Sequence, residues 1–263
     1  MIPVVNEKFR YIFFYNPKSA CSTYRQLYLE LHCDELAGKT KQRDHNLHNV
    51  DRLWPKKLWR SYKDYYKYSI VRNPYSRIVS AFLDKCFEYK YQESVRYRHK
   101  KFIKSIHRPI FHFLNKEINF QSGYSFVDTL KYLEATNNKQ RDYHFREQFS
   151  VNNPIDNYYR IEDTSEKLID IYHEIFQRYP IMEEKAVHLI KKLSPIKMNL
   201  SVNPCGDRKF EGCLAYKNFS ELEEIKRDNY SFDYSLFYDE QIKELIKKIY
   251  LQEIEYFGYS FPY

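Results

Sequence analysis

The feature that most constrains the fold is a strand, a short loop and a helix in direct succession, a pattern that occurs twice. Residues 9–15 form an aromatic and β-branched run that predicts a buried strand, Asn16 and the following proline end it, and residues 22–31 predict a helix. Residues 66–71 predict a second strand, which ends at Arg72 and is followed by a helix with one apolar face. Two such units imply a parallel α/β sheet, whose ligands bind where the strands end and the helices begin.

Beyond these units the predicted elements are less regular. A third strand is expected over residues 157–161, and an amphipathic last helix over residues 239–257. Residues 88–140 predict a helical insertion or a substrate-facing lobe, and residues 195–220 predict a mobile loop. No shift in composition marks a boundary, so residues 1–263 are expected to form a single domain.

Glycine is scarce, and this excludes two nucleotide-binding motifs. The five glycines, at positions 38, 123, 206, 212 and 258, fit neither G-x-G-x-x-G nor G-x-x-x-x-G-K-[ST]. The 43 basic and 35 acidic side chains leave a net charge of +8, which favours an anionic partner. The 27 tyrosines are spread along the chain, so they indicate core or half-buried positions rather than a surface for stacking nucleic-acid bases.

Cysteine usage and hydropathy bear on the compartment. The five cysteines form no C-x-x-C pair, which argues against a zinc ribbon and favours a reduced cytosolic chain, although Cys205 and Cys213 would close a small loop in an oxidising compartment. No stretch approaches the roughly 18 apolar residues of a membrane span. Charges at Glu7, Lys8 and Arg10 precede any apolar run, unlike a signal peptide. We expect a cytoplasmic protein, or a Golgi-lumenal one if a membrane anchor has been removed.

The first candidate binding segment is the loop Asn16-Pro-Lys-Ser-Ala-Cys-Ser-Thr23 between a strand and a helix. Its small residues let an anion approach consecutive backbone N–H groups, the helix N-terminus adds a partial positive charge, and Lys18 adds a full one. These are the properties of a phosphate cradle without glycines. Alone, the same octapeptide is equally consistent with an ordinary capped turn.

The second candidate segment is Val71-Arg-Asn-Pro-Tyr-Ser-Arg-Ile-Val-Ser-Ala-Phe82. The guanidinium of Arg72 at the strand end and the hydroxyl of Ser80 on the helix suit a phosphate monoester. The alternative is that Arg72 pairs with a carboxylate and Ser80 is a residue of the helix surface.

Together the two segments resemble those of the carbohydrate sulfotransferases that use 3′-phosphoadenosine-5′-phosphosulfate (PAPS), the Golgi-type and bacterial sulfotransferase family 2. In that family a strand leads into Pro-Lys-x-Ala/Gly-Cys/Gly-Ser/Thr. A later segment reads Val-Arg-Asp/Asn-Pro-Phe/Tyr-x-Arg-Leu/Ile-Val-Ser-Ala-Tyr/Phe, which residues 71–82 match at every position. Residues 144–148 resemble its His-Trp-x-Pro-Gln segment with Trp and Pro replaced. Residues 158–163 and 237–261 are similar to its later strand and its last helix.

The resemblance implies a fold, a co-substrate and a set of binding residues. The fold is α/β, a P-loop-like parallel sheet flanked by helices as in sulfotransferases and nucleotide kinases; the co-substrate is PAPS, and no metal is required. Lys18 is expected to stabilise the charge that collects on the leaving phosphate. The residues implied to hold the 5′-phosphosulfate are Lys18, Ser19, Ala20, Cys21, Ser22 and Thr23. Those implied to hold the 3′-phosphate are Arg72 and Ser80.

The acceptor hydroxyl must lose a proton, and a histidine is the expected general base. Relatives that sulfate heparan-type glycans place their catalytic histidine some two dozen residues before the arginine, and His48 lies 24 residues before Arg72, so it is preferred. His45 is the second candidate and His144 the third. Because other members of the family use a carboxylate, two acidic residues remain open, Asp44 and Asp51.

The expected acceptor is a hydroxyl of a carbohydrate or glycolipid, and an anionic acceptor would suit the net charge. Residues expected to orient it are Arg141, His144 and Arg146. A further group of basic residues is either a rim that attracts an anionic glycan or a solvated helix face. Its members are Arg96, Arg98, Lys100, Lys101, Lys104, His107, Arg108 and His112.

Three other functions compete with sulfuryl transfer. A protein of the same fold that binds anionic glycans without catalysis is disfavoured by the presence of Lys18 and of candidate bases. A nucleic-acid-binding protein is disfavoured because no recognised motif accompanies the charge. A P-loop kinase is disfavoured by the missing Walker glycines and by the lack of a clear set of magnesium ligands. The sequence does not indicate an oligomeric state.

Overall fold

The chain divides into two structural units, one formed by residues 1–72 and 148–199 and the other by residues 73–147 and 200–263. The structure is a computed structural model. It describes residues 2–6, 9–19, 62–87, 102–149, 155–163, 169–170, 172–174, 176–177, 184–188, 210–228 and 232–263.

The first unit contains a four-stranded sheet in the order β1–β2–β3–β4. The strands are β1 (Ile2–Asn6), β2 (Tyr11–Tyr15), β3 (Tyr66–Val71) and β4 (Asn157–Arg160). β2, β3 and β4 are parallel, which confirms the α/β class and the parallel core of the sheet. The sheet is nevertheless mixed, because β1, which was not predicted, pairs antiparallel to β2.

The predicted strand boundaries hold for β3 and shift slightly for the other two strands. β2 begins two residues later than predicted, because residues 9–10 form the turn that follows β1. In that turn the backbone N–H of Phe9 donates to Asn6 Oδ1 at 2.9 Å, and Arg10 adopts a left-handed φ of 54°. β4 ends at Arg160, where the 3-10 turn Ile161–Asp163 begins.

Both faces of β2 are buried. Successive side chains of a strand point to opposite faces, and every residue of β2 is buried. On one face Phe13 stacks on Tyr68 with ring centroids 5.1 Å apart. On the other face Ile12 and Phe14 pack with Val5. Burial on both faces is typical of parallel sheets and explains why this strand is a continuous apolar and aromatic run.

The second unit is helical among the described residues. Its helices are α1 (Pro74–Phe82), α2 (Arg108–Phe113), α3 (Phe126–Ala135), α4 (Phe219–Arg227), α5 (Glu240–Ile249) and α6 (Leu251–Phe257). Shorter π-helical and 3-10 turns occur at Leu83–Phe87, Ile103–His107, Leu214–Tyr216 and Tyr234–Phe237.

The starts of these helices follow from capping residues in the sequence. Asn73 caps α1 by accepting from the backbone N–H of Tyr75, and Pro74 occupies the first helical position, where its missing N–H is harmless. Ser125 and Asp128 form a reciprocal capping box at the start of α3, and α4 begins with a box of the same kind.

One predicted element of this unit needs correction, and a second is described only in part. The last helix is not continuous over residues 239–257 but breaks at Tyr250, whose φ of −121° and ψ of 26° are not helical. Tyr250 is fully buried and donates its hydroxyl to the carbonyl of Phe145 at 2.7 Å. The predicted loop over residues 195–220 is described from residue 210 onward, where it contains a 3-10 turn and the buried first residue of α4, Phe219.

The core of the second unit is a cluster of phenylalanine rings around Phe82 of α1. The ring of Phe82 lies 5.2 Å from Phe126, 6.2 Å from Phe219 and 6.3 Å from Phe237, measured between centroids. Within the segment 88–140, α2 and α3 both contribute buried side chains to this unit.

Gly123 and Gly258 provide a matched test of this packing. Both have a left-handed φ, 60° and 64° respectively, but a Cβ on Gly123 would overlap the Phe219 ring, whereas a Cβ on Gly258 meets nothing within 4 Å. We expect Gly258→Ala to lower the free energy of unfolding by about 1–2 kcal/mol, the cost of a left-handed Cβ. Gly123→Ala should lower the free energy of unfolding by about 1–3 kcal/mol more than that, because the added methyl group overpacks the core. Urea denaturation of both variants measures this, and equal losses would contradict the packing around Phe219.

Candidate functional site

The ends of β2 and β3 bring the starts of the two predicted binding segments together in the first unit. Tyr15, the last residue of β2, is the register partner of Ile70, and Val71, the last residue of β3, is the partner of Arg160. The carboxyl ends of these strands therefore form one edge of the sheet. Arg72 and the described start of the first loop, residues 16–19, follow directly at this edge.

Asn16 anchors the first loop to the neighbouring strand. Its side-chain amide donates to Ser69 Oγ and to the carbonyl of Ile70, both at 3.0 Å. Ser69 Oγ in turn donates to the carbonyl of Phe14 at 2.7 Å. Because Asn16 and Ser69 are both buried, these bonds fix where the loop leaves the sheet.

Lys18 has the unusual backbone conformation of this loop. Its φ is 66°, in the left-handed region that costs a residue with a Cβ about 1–2 kcal/mol. Its carbonyl accepts a hydrogen bond at 3.1 Å from Nη1 of Arg72. The guanidinium of the second segment thus contacts the backbone of the first loop.

Gln148 lies between the two segments and bonds to both. Its Oε1 accepts from Ser19 Oγ at 2.6 Å and from the backbone N–H of Arg72 at 2.8 Å. Its Nε2 donates to the carbonyl of Arg72 at 2.7 Å. Gln148 was quoted in the likeness of residues 144–148, but no role was predicted for it. The only signal in the sequence was its place at the end of that segment.

This edge of the sheet carries positive charge. Two adjacent loops supply this charge, through the ammonium of Lys18 and the guanidinium of Arg72. Lys18 is half-buried and Arg72 is 6% exposed. A guanidinium offers a planar set of donors that matches phosphate or sulfate oxygens. The arrangement is chemically suited to holding an anion. Lys18, Ser19 and Arg72 are the predicted binding residues that the structure brings together.

The remaining predicted binding and catalytic residues lie either in the second unit or outside the described part of the chain. Ser80 lies on α1 in the second unit and is buried. Eight of the predicted residues lie outside the part of the chain that the structure describes: Ala20, Cys21, Ser22, Thr23, Asp44, His45, His48 and Asp51.

His144, the third candidate base, lies in the second unit and pairs with Asp142. Its Nδ1 is 2.6 Å from Asp142 Oδ1, and both side chains are buried. Burial lowers the pKa of His144 below its ordinary value, although the carboxylate of Asp142 opposes this. Burial raises the pKa of Asp142, but hydrogen bonds from His144 outweigh it and leave that pKa below its usual value. A neutral imidazole beside an ionised carboxylate is the form that accepts a proton.

Arg141 and Arg146, predicted to orient the acceptor, donate hydrogen bonds to backbone carbonyls. Nη2 of Arg141 donates to the carbonyls of Leu133 and Thr136 at 2.7 and 2.9 Å, which satisfies the carbonyl end of α3. Arg146 is exposed, and its guanidinium donates to the backbone carbonyls of Arg141 and Lys139. Arg141 therefore closes the end of α3, and its role toward an acceptor stays a prediction.

The predicted basic group separates into buried and exposed members. His107 is fully buried, with Nδ1 2.9 Å from the hydroxyl of Tyr124, so it belongs neither to a rim nor to a solvated face. Lys104, Arg108 and His112 are exposed. The other members, Arg96, Arg98, Lys100 and Lys101, lie outside the described residues.

Arg77, in the same motif as Arg72, forms a buried ion pair in the second unit. Its Nη2 lies 3.6 Å from Glu253 Oε2, and the two side chains are 1% and 0% exposed. Its Nη1 donates to the carbonyl of His144 at 3.2 Å, and its guanidinium carbon lies 5.2 Å from the centre of the Tyr250 ring. This pair joins α1 to α6, and the sequence alone did not predict it.

Two of the five cysteines lie among the described residues. Cys86 and Cys213 are free thiols, and Cys205 lies outside the described residues. Among the residues that the structure describes, no group of three or more His, Cys, Asp or Glu side chains is placed to hold a metal ion. In the same residues, none of the helices has the length and apolar character needed to span a bilayer.

Comparison with known proteins decides the family. The family model of the sulfotransferase family matches residues 3–260, nearly the whole chain. The chain belongs to the sulfotransferase family. No curated protein and no solved structure matches the chain significantly.

Family membership confirms the resemblance on which the two loops were interpreted. A sulfotransferase is a transferase that moves a sulfuryl group, and the prediction of such an enzyme is confirmed at this level. The family generally takes that group from PAPS.

The buried pair of Arg77 and Glu253 makes a prediction about stability. Arg77→Met leaves the carboxylate of Glu253 buried and unpaired, and we expect a loss of about 3–5 kcal/mol in the free energy of unfolding. The double variant Arg77→Met/Glu253→Leu should be more stable than Arg77→Met, because it removes both charges. Arg227→Met is the control, since Arg227 is 77% exposed in its pair with Glu223 and such pairs contribute about 0–1 kcal/mol. A double variant as unstable as Arg77→Met would show that packing, rather than the unpaired charge, causes the loss.

Proposed function

We propose that this sulfotransferase moves the sulfuryl group of PAPS to a hydroxyl of a carbohydrate acceptor. The observation that carries the proposal is the junction of the Lys18–Ser19 loop with Arg72 at the carboxyl ends of β2 and β3. This is where parallel α/β sheets bind nucleotides, and the two segments are those whose sequences resemble the motifs of the family.

The donor has an anionic group at each end, and the proposal gives each loop one of them. The first loop, with Lys18 and Ser19, would hold the 5′-phosphosulfate, and Arg72 would hold the 3′-phosphate, together with Ser80 as the family pattern implies. In the transfer the acceptor oxygen bonds to sulfur while the bond between sulfur and the 5′-phosphate oxygen breaks. Lys18 would then stabilise the negative charge on that leaving oxygen.

The acceptor proton needs a base, and the proposal retains the order His48, His45, His144. His144 is supported by its burial, which lowers its pKa and favours the neutral imidazole, and by the hydrogen bond to Asp142, which orients the ring. His48 is supported by its spacing from Arg72. The net charge of +8 supports an anionic saccharide, in a polysaccharide or a glycolipid, as the acceptor.

Binding of the desulfated product, adenosine 3′,5′-bisphosphate, tests the donor site without an acceptor. We expect calorimetry to give a micromolar Kd, about −8 kcal/mol, for the wild type. Arg72→Ala should abolish this binding, and Arg72→Lys, which retains the charge but not the planar donors, should weaken it. Arg227→Ala, an exposed arginine, should bind as the wild type does. A wild-type protein that binds no bisphosphate at low salt would overturn the proposal.

Histidine substitutions test the base with radiolabelled sulfate transfer to a panel of polysaccharides, glycosaminoglycans and glycolipids. Loss of the general base should lower the transfer rate by about 10²–10⁴-fold and leave the bisphosphate Kd unchanged. The variants are His48→Ala, His45→Ala and His144→Gln. Full activity in all three would exclude these three histidines as the base and direct attention to Asp44 and Asp51.

A further inference from the structure

We propose that Gln148 is a positioning residue, which holds Arg72 and the first loop in the geometry that recognises the 3′-phosphate of the donor. The inference rests on the proposed function and deepens it, because it names the residue on which recognition of the nucleotide depends. The evidence is the set of three hydrogen bonds from one amide to Ser19 and to the backbone of Arg72.

The chemistry of the contact requires an amide. Gln148 presents an acceptor to the N–H of Arg72 and a donor to the carbonyl of the same residue, at 2.8 and 2.7 Å. A carboxylate has no donor for that carbonyl, and an apolar side chain has neither group. The side chain is therefore matched to both backbone groups of the residue that precedes α1.

Burial makes these bonds decisive for position. Gln148 is 1% exposed and Ser19 is 1% exposed, so water does not replace a lost partner at low cost. A buried N–H or carbonyl without a partner costs about 1–3 kcal/mol, which the backbone of Arg72 avoids by moving. Movement of Arg72 also changes where its guanidinium points.

The contacts form a closed path through both binding segments. Gln148 bonds to Ser19, Ser19 follows Lys18, the carbonyl of Lys18 accepts from Nη1 of Arg72, and Arg72 bonds back to Gln148. The left-handed φ of Lys18 shows that the loop is held away from its relaxed conformation. Because the path is closed, loss of the amide frees both Ser19 and the backbone of Arg72. The guanidinium of Arg72 is then displaced relative to the first loop.

The test compares two nucleotides that differ in one phosphate. Adenosine 3′,5′-bisphosphate has the 3′-phosphate and adenosine 5′-monophosphate lacks it, so the ratio of their Kd values reports how well Arg72 is placed. We expect the wild type to prefer the bisphosphate strongly. Gln148→Met should reduce the ratio by about tenfold or more, the value of one buried hydrogen bond. Gln252→Met, the same change at an exposed position on α6, should leave the ratio unchanged.

A merely structural role predicts a different result. Such a role would lower the melting temperature of Gln148→Met, but the folded protein would retain the wild-type ratio of the two Kd values. An unchanged ratio in the folded variant overturns the proposal. If Gln148→Met does not fold, Gln148→Asn, which retains a neutral amide but draws it back by one methylene from the backbone of Arg72, is interpreted in the same way.

A double-mutant cycle adds a second readout. Ser19→Ala and Gln148→Met should each weaken bisphosphate binding, and the combined loss should be smaller than the product of the two, because both break one path. Independent losses that multiply would contradict the path. A wild-type protein that binds the two nucleotides equally would refute the proposed donor site. A wild-type preference for the bisphosphate that remains unchanged in Gln148→Met would refute only the role of Gln148.

Discussion

Tyr15 at the end of β2 lies opposite Ile70 near the end of β3, and this parallel register decides where both binding segments start. A shift by one residue would turn every side chain of β2 to the other face and exchange its packing partners, because Phe13 stacks on Tyr68 on one face while Ile12 and Phe14 pack with Val5 on the other. Asn16 reinforces the register, since it reaches across to the carbonyl of Ile70. The position of Lys18 and Arg72 is therefore a consequence of sheet packing, and the loops add the local bonds that orient them.

The two arginines of the second segment show how different environments assign different roles to one residue type. Arg72 stands at the sheet edge and contacts the backbone of the first loop, whereas Arg77 is sealed in the second unit beside Glu253. A buried arginine needs a charged partner, and α6 supplies one far along the chain. Gln148 is also buried, but its side chain is neutral. Its amide bonds to both the backbone N–H and the backbone carbonyl of Arg72 without adding a buried charge.

Local patterns predicted the parts of the fold that depend on local chemistry. β3 was predicted to the residue, because an aromatic and β-branched run ends at an Arg-Asn-Pro break. β1 was missed because a five-residue edge strand containing proline has a weak signal and forms through pairing with β2. The break at Tyr250 was missed because apolar residues continue through it with helical spacing. Of the site, Lys18, Ser19 and Arg72 were predicted from the two motifs. The contacts of Gln148 were not predicted because they depend on the backbone of Arg72, 76 positions away, and no local pattern in the sequence encodes such a pairing.

The chain leaves the first unit after Arg72 and re-enters it at Gln148, and those two residues are hydrogen-bonded across a separation of 76 positions. Closing a loop of this length lowers the conformational entropy of the chain, and contacts between neighbouring residues do not offset that cost. The strand-end edge that holds Lys18 and Arg72 is therefore incomplete when β2 and β3 first pair, because Gln148 and then β4 follow only after residues 73–147. Folding order therefore separates the pairing of β2 with β3, which can come first, from the closure of the hydrogen-bonded path through Ser19 and Arg72, which waits for Gln148.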